Sequence, residues 1–202
     1  MDIILKTLTV IQSLSNEYLQ NIDRRGDDWI TLTSIVGHDG SVNDAAKDKI
    51  VMTVYNITKE NVVSSYAPAK PGPDSFAIVQ PPIFIDIHLM FMANFAAQTY
   101  LDGLGAISRL ISYFQQTPWF NQSNAPELGA DIDKITMELE SLGPVEVNYV
   151  MGMLGTKYLP AAFYKLRMLP FAAPAMQSRT YPARGGSISE TPQPAPQPAQ
   201  WP

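Results

Sequence analysis

The sequence contains no cysteine among its 202 residues. Disulfides and thiolate metal sites are therefore impossible, and the usual marker of an oxidising compartment is missing. Charged residues are also scarce, at 16% of the chain. Since soluble domains usually carry about 25% charged residues, we expect other subunits to cover part of this surface.

Basic residues are few and scattered: 14 Lys and Arg stand against 19 Asp and Glu, for a net charge of −5. No basic stripe could follow a phosphate backbone, so nucleic acid is not an expected partner. The longest apolar stretch, residues 83–97, is interrupted by Asp86, His88 and Asn94 and is too short to span a bilayer, so no membrane insertion is expected. The N-terminus lacks the basic region of a secretory signal, and assembly in the cytoplasm is expected.

A change in proline content predicts two domains, residues 1–173 and residues 174–202. The second segment has seven prolines in 29 residues and few apolar side chains. It is predicted to be a flexible tail with a docking function, because proline favours extended conformations and little core can form. Trp201 is a candidate docking residue, since a flexible terminus has no core in which to bury an indole. A second proline-rich stretch, residues 66–82, predicts an extended loop or arm.

Apolar periodicity predicts an α+β fold, with a mixed, mainly antiparallel sheet packed with three helices. The predicted helices are Ile4–Leu19, Tyr100–Gln116 and Pro144–Gly155. The predicted strands are Trp29–Val36, Lys49–Thr58, Ile83–Phe95, Asp133–Leu142 and one within Gly155–Phe171.

The last predicted strand has residues on both faces that can make specific contacts. Alternation puts Tyr164, Leu166 and Met168 on one side, which is predicted to complete the core. Lys165 and Arg167 lie on the other side and are predicted to face an acidic neighbour or solvent. They are, with Trp201, the candidate interface residues.

Catalytic chemistry has one candidate, Asp86 with His88, two apart on one strand face as an acid and a base could be. A small hydrolase is therefore an alternative function. No Gly-x-Ser-x-Gly motif and no third orienting group accompany the pair, so a polar strand face is the favoured interpretation. The two histidines, His38 and His88, lie on different elements without a recognised metal-ligand spacing, and no phosphate loop is complete. We expect no catalytic, cofactor or metal site.

Several ordered motifs resemble one family. They are "FMANF", "YFQ", "APEL" and "LGTKYLP" leading into "FYKLRML", and the likeness extends over nearly all of residues 1–171. The chain resembles the cap, or tube terminator, proteins of bacterial extracellular contractile injection systems of the antifeeding-prophage and virulence-cassette type.

This resemblance implies a non-catalytic structural protein with a fold similar to phage tail terminators. It would form a sixfold ring, a homo-oligomer, at the distal end of the inner tube and contact the last sheath layer. Inner tube protein and sheath protein are thus the implied partners, with no cofactor, and the particle would be released or anchored after assembly. A terminator of a true bacteriophage tail or of a related secretion apparatus is the nearest alternative.

Overall fold

The computed structural model describes residues 2–37, 39–41, 43–61, 69–71, 76–79, 83–171 and 176–180. Within these ranges the chain forms three α-helices and nine strands. In chain order they are α1 (Ile3–Ile22), β1 (Ile30–Leu32), β2 (Lys49–Lys59), β3 (Ala69–Pro71), β4 (Phe76–Val79), β5 (Ile83–Asn94), α2 (Tyr100–Gln116), β6 (Trp119–Asn121), β7 (Lys134–Glu140), α3 (Pro144–Met153), β8 (Ala161–Phe171) and β9 (Met176–Thr180). None of the helices in these ranges is long and apolar enough to cross a membrane.

Six strands form one sheet in the order β1-β2-β5-β8-β7-β6. Strands β1 and β2 pair in parallel, and the other neighbours pair antiparallel. This mixed, mostly antiparallel sheet with three helices confirms the predicted fold class. It belongs to the compact unit of residues 1–66 and 81–173.

A second compact unit comprises residues 67–80 and 174–202. Its described part is a three-stranded antiparallel sheet in the order β3-β4-β9. Two of these strands lie in the predicted proline-rich arm, and β9 lies within the predicted tail. The rest of the tail, including Trp201, falls outside the described residues, so the tail's flexibility stays a prediction.

Helices α1 and α2 cover the first face of the six-stranded sheet. The N-cap of helix α1 is Asp2, whose side chain accepts a hydrogen bond from the Ile4 backbone N–H at 3.2 Å and so satisfies one free donor of the first turn. The buried Asn16 side chain then joins α1 to β1, donating to the Ile30 carbonyl at 3.0 Å and accepting from the Ile30 N–H at 2.8 Å. This exchange fixes the edge strand, which is only three residues long, against the helix.

Aromatic rings fill the space between α2 and the first face. Phe114 on α2 lies 5.5 Å from Phe91 of β5 and 4.9 Å from Tyr164 of β8, between ring centroids. Phe120 of β6 closes the cluster at 6.5 Å from Phe114. On the second face, α3 packs its buried Val150 and Met151 against a separate apolar group. That group includes Val51, Met90, Met92 and Phe163.

Strand β8 departs from simple alternation at a bulge. Ile85 of β5 pairs with Leu169 and Ile87 pairs with Leu166, so two residues of β8, Arg167 and Met168, face the single intervening residue of β5. Met168 has φ of 72°, which is the left-handed region. The prediction that Met168 completes the core is therefore wrong, because the bulge turns it out of register and the fully buried Leu169 takes that place.

Two further predictions about strands need correction. Strand β1 ends at Leu32 instead of Val36, because the chain turns at Thr33 and Ser34, where the Asn43 side chain donates to the Thr33 hydroxyl and the Ser34 carbonyl. Strand β6 lies between α2 and β7, where no strand was predicted. It is short and pairs with only three residues of β7, so its three residues carry too little alternation to be recognised.

Two glycines of α2 differ in what surrounds them, which gives a test of the packing. A Cβ on Gly103 would lie 2.7 Å from the Phe95 ring, whereas a Cβ on Gly105 would meet nothing within 4 Å. Alanine is the better helix former by about 0.5–1 kcal/mol. We therefore expect Gly105→Ala to raise the free energy of unfolding by that amount, and Gly103→Ala to lower it by about 1 kcal/mol because the clash outweighs the gain.

Urea denaturation of the two variants at low protein concentration, followed by circular dichroism, measures both effects. Each variant is the control for the other, since both make the same chemical change on the same helix two residues apart. Equal shifts of the two midpoints in the same direction would contradict the packing of Phe95 against the first turn of α2.

Candidate functional site

The second face of the six-stranded sheet has an apolar half under α3 and a polar half beside it. The polar half, called the polar strip below, is formed by side chains of β2, β5, β7 and β8 together with Glu60, which follows β2. Its members are Tyr55, Thr58, Glu60, Asp86, His88, Glu138, Glu140, Lys165 and Arg167. All are linked through hydrogen bonds or charge, in two clusters.

The first cluster is centred on Glu140. Its Oε2 accepts from the Tyr55 hydroxyl at 2.7 Å and lies 2.9 Å from His88 Nδ1, and its Oε1 lies 3.7 Å from Lys165 Nζ. Burial works against ionisation of Glu140, but the hydrogen bonds from His88 and Tyr55, with the charges of His88 and Lys165, lower its pKa. The other ring nitrogen of His88, Nε2, lies 2.9 Å from the Thr58 hydroxyl oxygen and is hydrogen-bonded to it. Both ring nitrogens of His88 are thus occupied within the chain.

The second cluster brings two buried carboxyl groups to one arginine. Glu60 is 4% exposed and Asp86 is 5% exposed. Arg167 donates from Nε to Glu60 Oε2 at 2.8 Å and from Nη1 to Glu138 Oε1 at 2.8 Å. The two hydrogen bonds and the two negative charges raise the pKa of Arg167.

Asp86 lies opposite the bulge of β8, next to Glu60. Burial, followed by the negative charge of Glu60, raises the pKa of Asp86, while the Met168 backbone N–H and the Arg167 charge act in the opposite direction. Within the described part of the chain, Asp86 Oδ1 is buried without a hydrogen-bond partner. Burial next to another carboxyl group thus favours the protonated form of Asp86 more than exposure to solvent would.

The structure does not assemble Asp86 and His88 into one reactive site. The contacts of Asp86 are with Glu60, Arg167 and the bulge, whereas those of His88 are with Thr58 and Glu140. The described residues also contain no group of three or more His, Asp or Glu side chains that could hold a metal ion. Apart from Asp86 Oδ1, the described polar side chains of this sheet face pair with one another.

The candidate interface residues Lys165 and Arg167 lie on the predicted face, with side chains 30% and 24% exposed. Their acidic partners within the chain are Glu140 for Lys165, and Glu60 and Glu138 for Arg167. Trp201 and His38 lie outside the described residues. The alternation of "TMELE" was a sequence signal for Glu138 and Glu140, but nothing in the sequence near Glu60 points to a partner 107 residues away.

A second surface feature is apolar and lies on the helices. The outward side chains of α2 and α3 include Leu101, Val145, Tyr149 and Met153, which are 79%, 64%, 67% and 71% exposed. Large exposed apolar groups that cluster on one face are typical of surfaces that bind other proteins. The molecule therefore offers apolar contact surfaces in addition to its internally paired polar strip.

Comparison with solved structures finds two related folds. The first is the sheath/tube terminator, in the extended state, of the PVC extracellular contractile injection system, with a TM-score of 0.62 and 11% identity over 98% of this chain and 65% of that one. The second is the tube terminating cap of the anti-feeding prophage, with a TM-score of 0.50 and 9% identity over 89% of this chain and 60% of that one. This chain therefore spans less than two thirds of either solved chain.

Comparison with curated protein sequences finds no match. A family model, described as the Pvc16 N-terminal domain, matches residues 6–184. The match spans both α1 at one end and β9 at the other, and it agrees with the shared fold of the two solved caps. This chain is a member of the Pvc16 N-terminal domain family.

Proposed function

We propose that this protein is a structural cap that terminates the inner tube and sheath of a contractile, phage-tail-like injection particle. It forms a homo-oligomeric ring, hexameric to match a sixfold tube, at the distal end of the tube. Its partners are the inner tube protein, the sheath protein and further copies of itself. It assembles in the cytoplasm and is then part of the released or anchored particle.

The observation that carries this proposal is the family membership together with the terminator-like fold of the whole described chain. The surface agrees with it, because large apolar side chains stand outward on two helices while few charges cover the chain. A subunit that is partly covered in a closed ring needs fewer charged side chains than a free monomer.

A non-catalytic role is part of the proposal. Asp86 and His88, the only acid–base pair that the sequence suggested, contact different partners, and both His88 nitrogens are hydrogen-bonded. Lys165 and Arg167 stay candidate interface residues, because each exposes part of its side chain beside the ion pairs described above.

Electron microscopy of particles made with and without this protein tests the proposal. With the protein, we expect tubes of uniform length that end in added density with sixfold symmetry and carry extended sheaths. Without it, we expect tubes of variable length and sheaths that contract or detach, because nothing ends polymerisation. Particles of the same length and the same end structure in both preparations would overturn the proposal.

A further inference from the structure

The outer face of α3 carries no charged side chain. Val145, Asn148, Tyr149, Gly152 and Met153 recur at helical spacing on that face and are all exposed. The one charged residue of the helix, Glu146, accepts a hydrogen bond from the Gly143 backbone N–H at the start of the helix. An exposed helix face of a free monomer is normally polar and charged, so this face is built to be covered.

The outer face of α2 has the same character. Leu101, Leu104, Gly105, Ser108 and Ser112 share one side of the helix, opposite the buried side that faces the sheet. The helix has two charged residues, Asp102 and Arg109, and both lie off this line; Arg109 pairs with Asp23 at the end of α1. Leu101 is the most exposed large apolar residue among the described positions.

Each of the two faces contains a glycine that no close contact within the described chain requires. A Cβ on Gly105 or on Gly152 would meet nothing within 4 Å, in contrast to Gly103, which the Phe95 ring crowds. Glycine inside a helix lowers stability relative to alanine. No internal contact among the described residues requires these glycines. A glycine on each outer face would allow the backbone of a second helix to approach closely, whereas a Cβ at the same position would keep that backbone farther away.

The two faces lie on opposite sides of the same end of the sheet. Helix α2 starts just after β5, and its Gly103 packs on Phe95, directly beyond the strand's last residue. Helix α3 covers Met92 near that same end, from the second face. A ring of identical subunits joined head to tail needs two complementary surfaces on opposite sides of the subunit, at the same height along the ring axis. The outer faces of α2 and α3 fulfil this requirement.

We propose that the outer face of α2 in one copy packs against the outer face of α3 in the next copy and so closes the ring. This inference rests on the proposed function and adds the two surfaces that join neighbouring subunits. Both faces are uncharged and each presents large apolar side chains, so contact buries apolar area without leaving an unpaired charge in the interface. An isologous pairing of α3 with α3 would leave Leu101 and Leu104 of α2 uncovered.

Cysteine cross-linking on assembled particles tests the contact directly, because the natural chain has no cysteine. Ser108 and Asn148 are exposed, uncharged members of the two faces and tolerate substitution without loss of core. In a chain carrying both Ser108→Cys and Asn148→Cys, a short bis-maleimide should give a ladder of covalent multimers that ends at the ring. Each single variant should give no cross-link, since like positions of neighbouring subunits are far apart in a head-to-tail contact. Leu5→Cys with Asn148→Cys is the control pair.

A point variant gives a second measurement. Tyr149→Glu should weaken self-association by about tenfold or more, as is usual for a central interface tyrosine, with an unchanged circular dichroism spectrum. Leu139→Glu, at an exposed apolar site off both faces, should leave association unchanged. Gly105→Ala should weaken association while the monomer becomes more stable, a combination that a purely internal role would not produce.

The outcomes separate the two proposals. If the particles are capped but the single variants also cross-link, or if no ladder forms, the α2–α3 contact is overturned while the cap function stands, and the faces then contact tube or sheath. If the chain neither associates with itself nor caps the particle, both proposals are overturned. A ladder from the double variant alone, with none from the control pair, supports the contact.

Discussion

Replacing Phe114 by alanine is expected to lower the free energy of unfolding by about 3–5 kcal/mol, the usual range for removing a buried phenylalanine. Phe114 is 1% exposed, and its ring touches those of Phe91, Tyr164, Tyr113 and Phe120. The loss combines the transfer energy of the ring with the cavity it leaves. The cavity cannot collapse easily, because three of those four neighbouring rings lie on strands of the sheet.

The control is Leu101→Ala on the same helix, where the side chain is 79% exposed. We expect a change within about 0.5 kcal/mol there, since a surface truncation creates no cavity. Denaturant unfolding followed by circular dichroism and by tryptophan fluorescence, at a protein concentration that keeps the chain monomeric, gives both values. A loss below 1 kcal/mol for Phe114→Ala would mean that α2 does not pack on the sheet as described.

Local sequence features predicted the helices well. The periodic apolar positions of α2 gave its bounds, Tyr100–Gln116, as the structure has them, and those of α1 differ from the structure by one residue at the start and three at the end. Such patterns suffice because a helix is stabilised by contacts between near neighbours and by one buried stripe. Strand β5 also shows the alternation expected of a strand, since Leu89 and Phe91 join one apolar core and Met90 and Met92 the other.

The strand ends and the polar strip could not be predicted to the same depth. The bulge in β8 depends on how Arg167 and Met168 fit opposite Asp86, which is a matter between two strands and leaves no trace in the alternation of either one. The partners of Arg167 come from β7, 29 residues earlier in the chain, and from the end of β2, 107 residues earlier. Spacing placed Lys165 and Arg167 on a polar face, but which acids meet them depends on strand order.

Replacing Arg167 by methionine is expected to lower the free energy of unfolding by about 2–3 kcal/mol at neutral pH. Breaking a buried ion pair from one side costs about 3–5 kcal/mol, and the lower figure allows for the 24% exposure of the arginine side chain. The buried carboxyl groups of Glu60 and Asp86 then lose the nearby cation that favours their charged forms. Methionine keeps much of the volume, so the change is mainly electrostatic.

Lys165→Met is the matched control, since it removes the other cation of the polar strip. Its partner Glu140 keeps the hydrogen bonds from Tyr55 and His88, and a half-exposed ion pair at 3.7 Å contributes about 0–1 kcal/mol. Thermal unfolding of both variants compares the two sites. If Arg167 acts only at a subunit interface, the Arg167→Met monomer will be as stable as the Lys165→Met monomer, and the loss will be confined to assembly.

The pH dependence identifies the carboxyl groups as the cause. Because the pKa of Asp86 is raised in the folded chain, the folded protein keeps a proton that the unfolded chain has already released, so stability falls as the pH rises through the raised pKa. Removing Arg167 raises the pKa of Asp86 further. The loss of stability in Arg167→Met should therefore shrink in acid and grow towards neutral pH.

Asp86→Asn removes the ionisable group, so it should recover more stability in the Arg167→Met background than in the natural chain, with a flatter dependence of stability on pH. Equal effects of Asp86→Asn in both backgrounds would show that Arg167 and Asp86 are not coupled, which would contradict the electrostatic explanation.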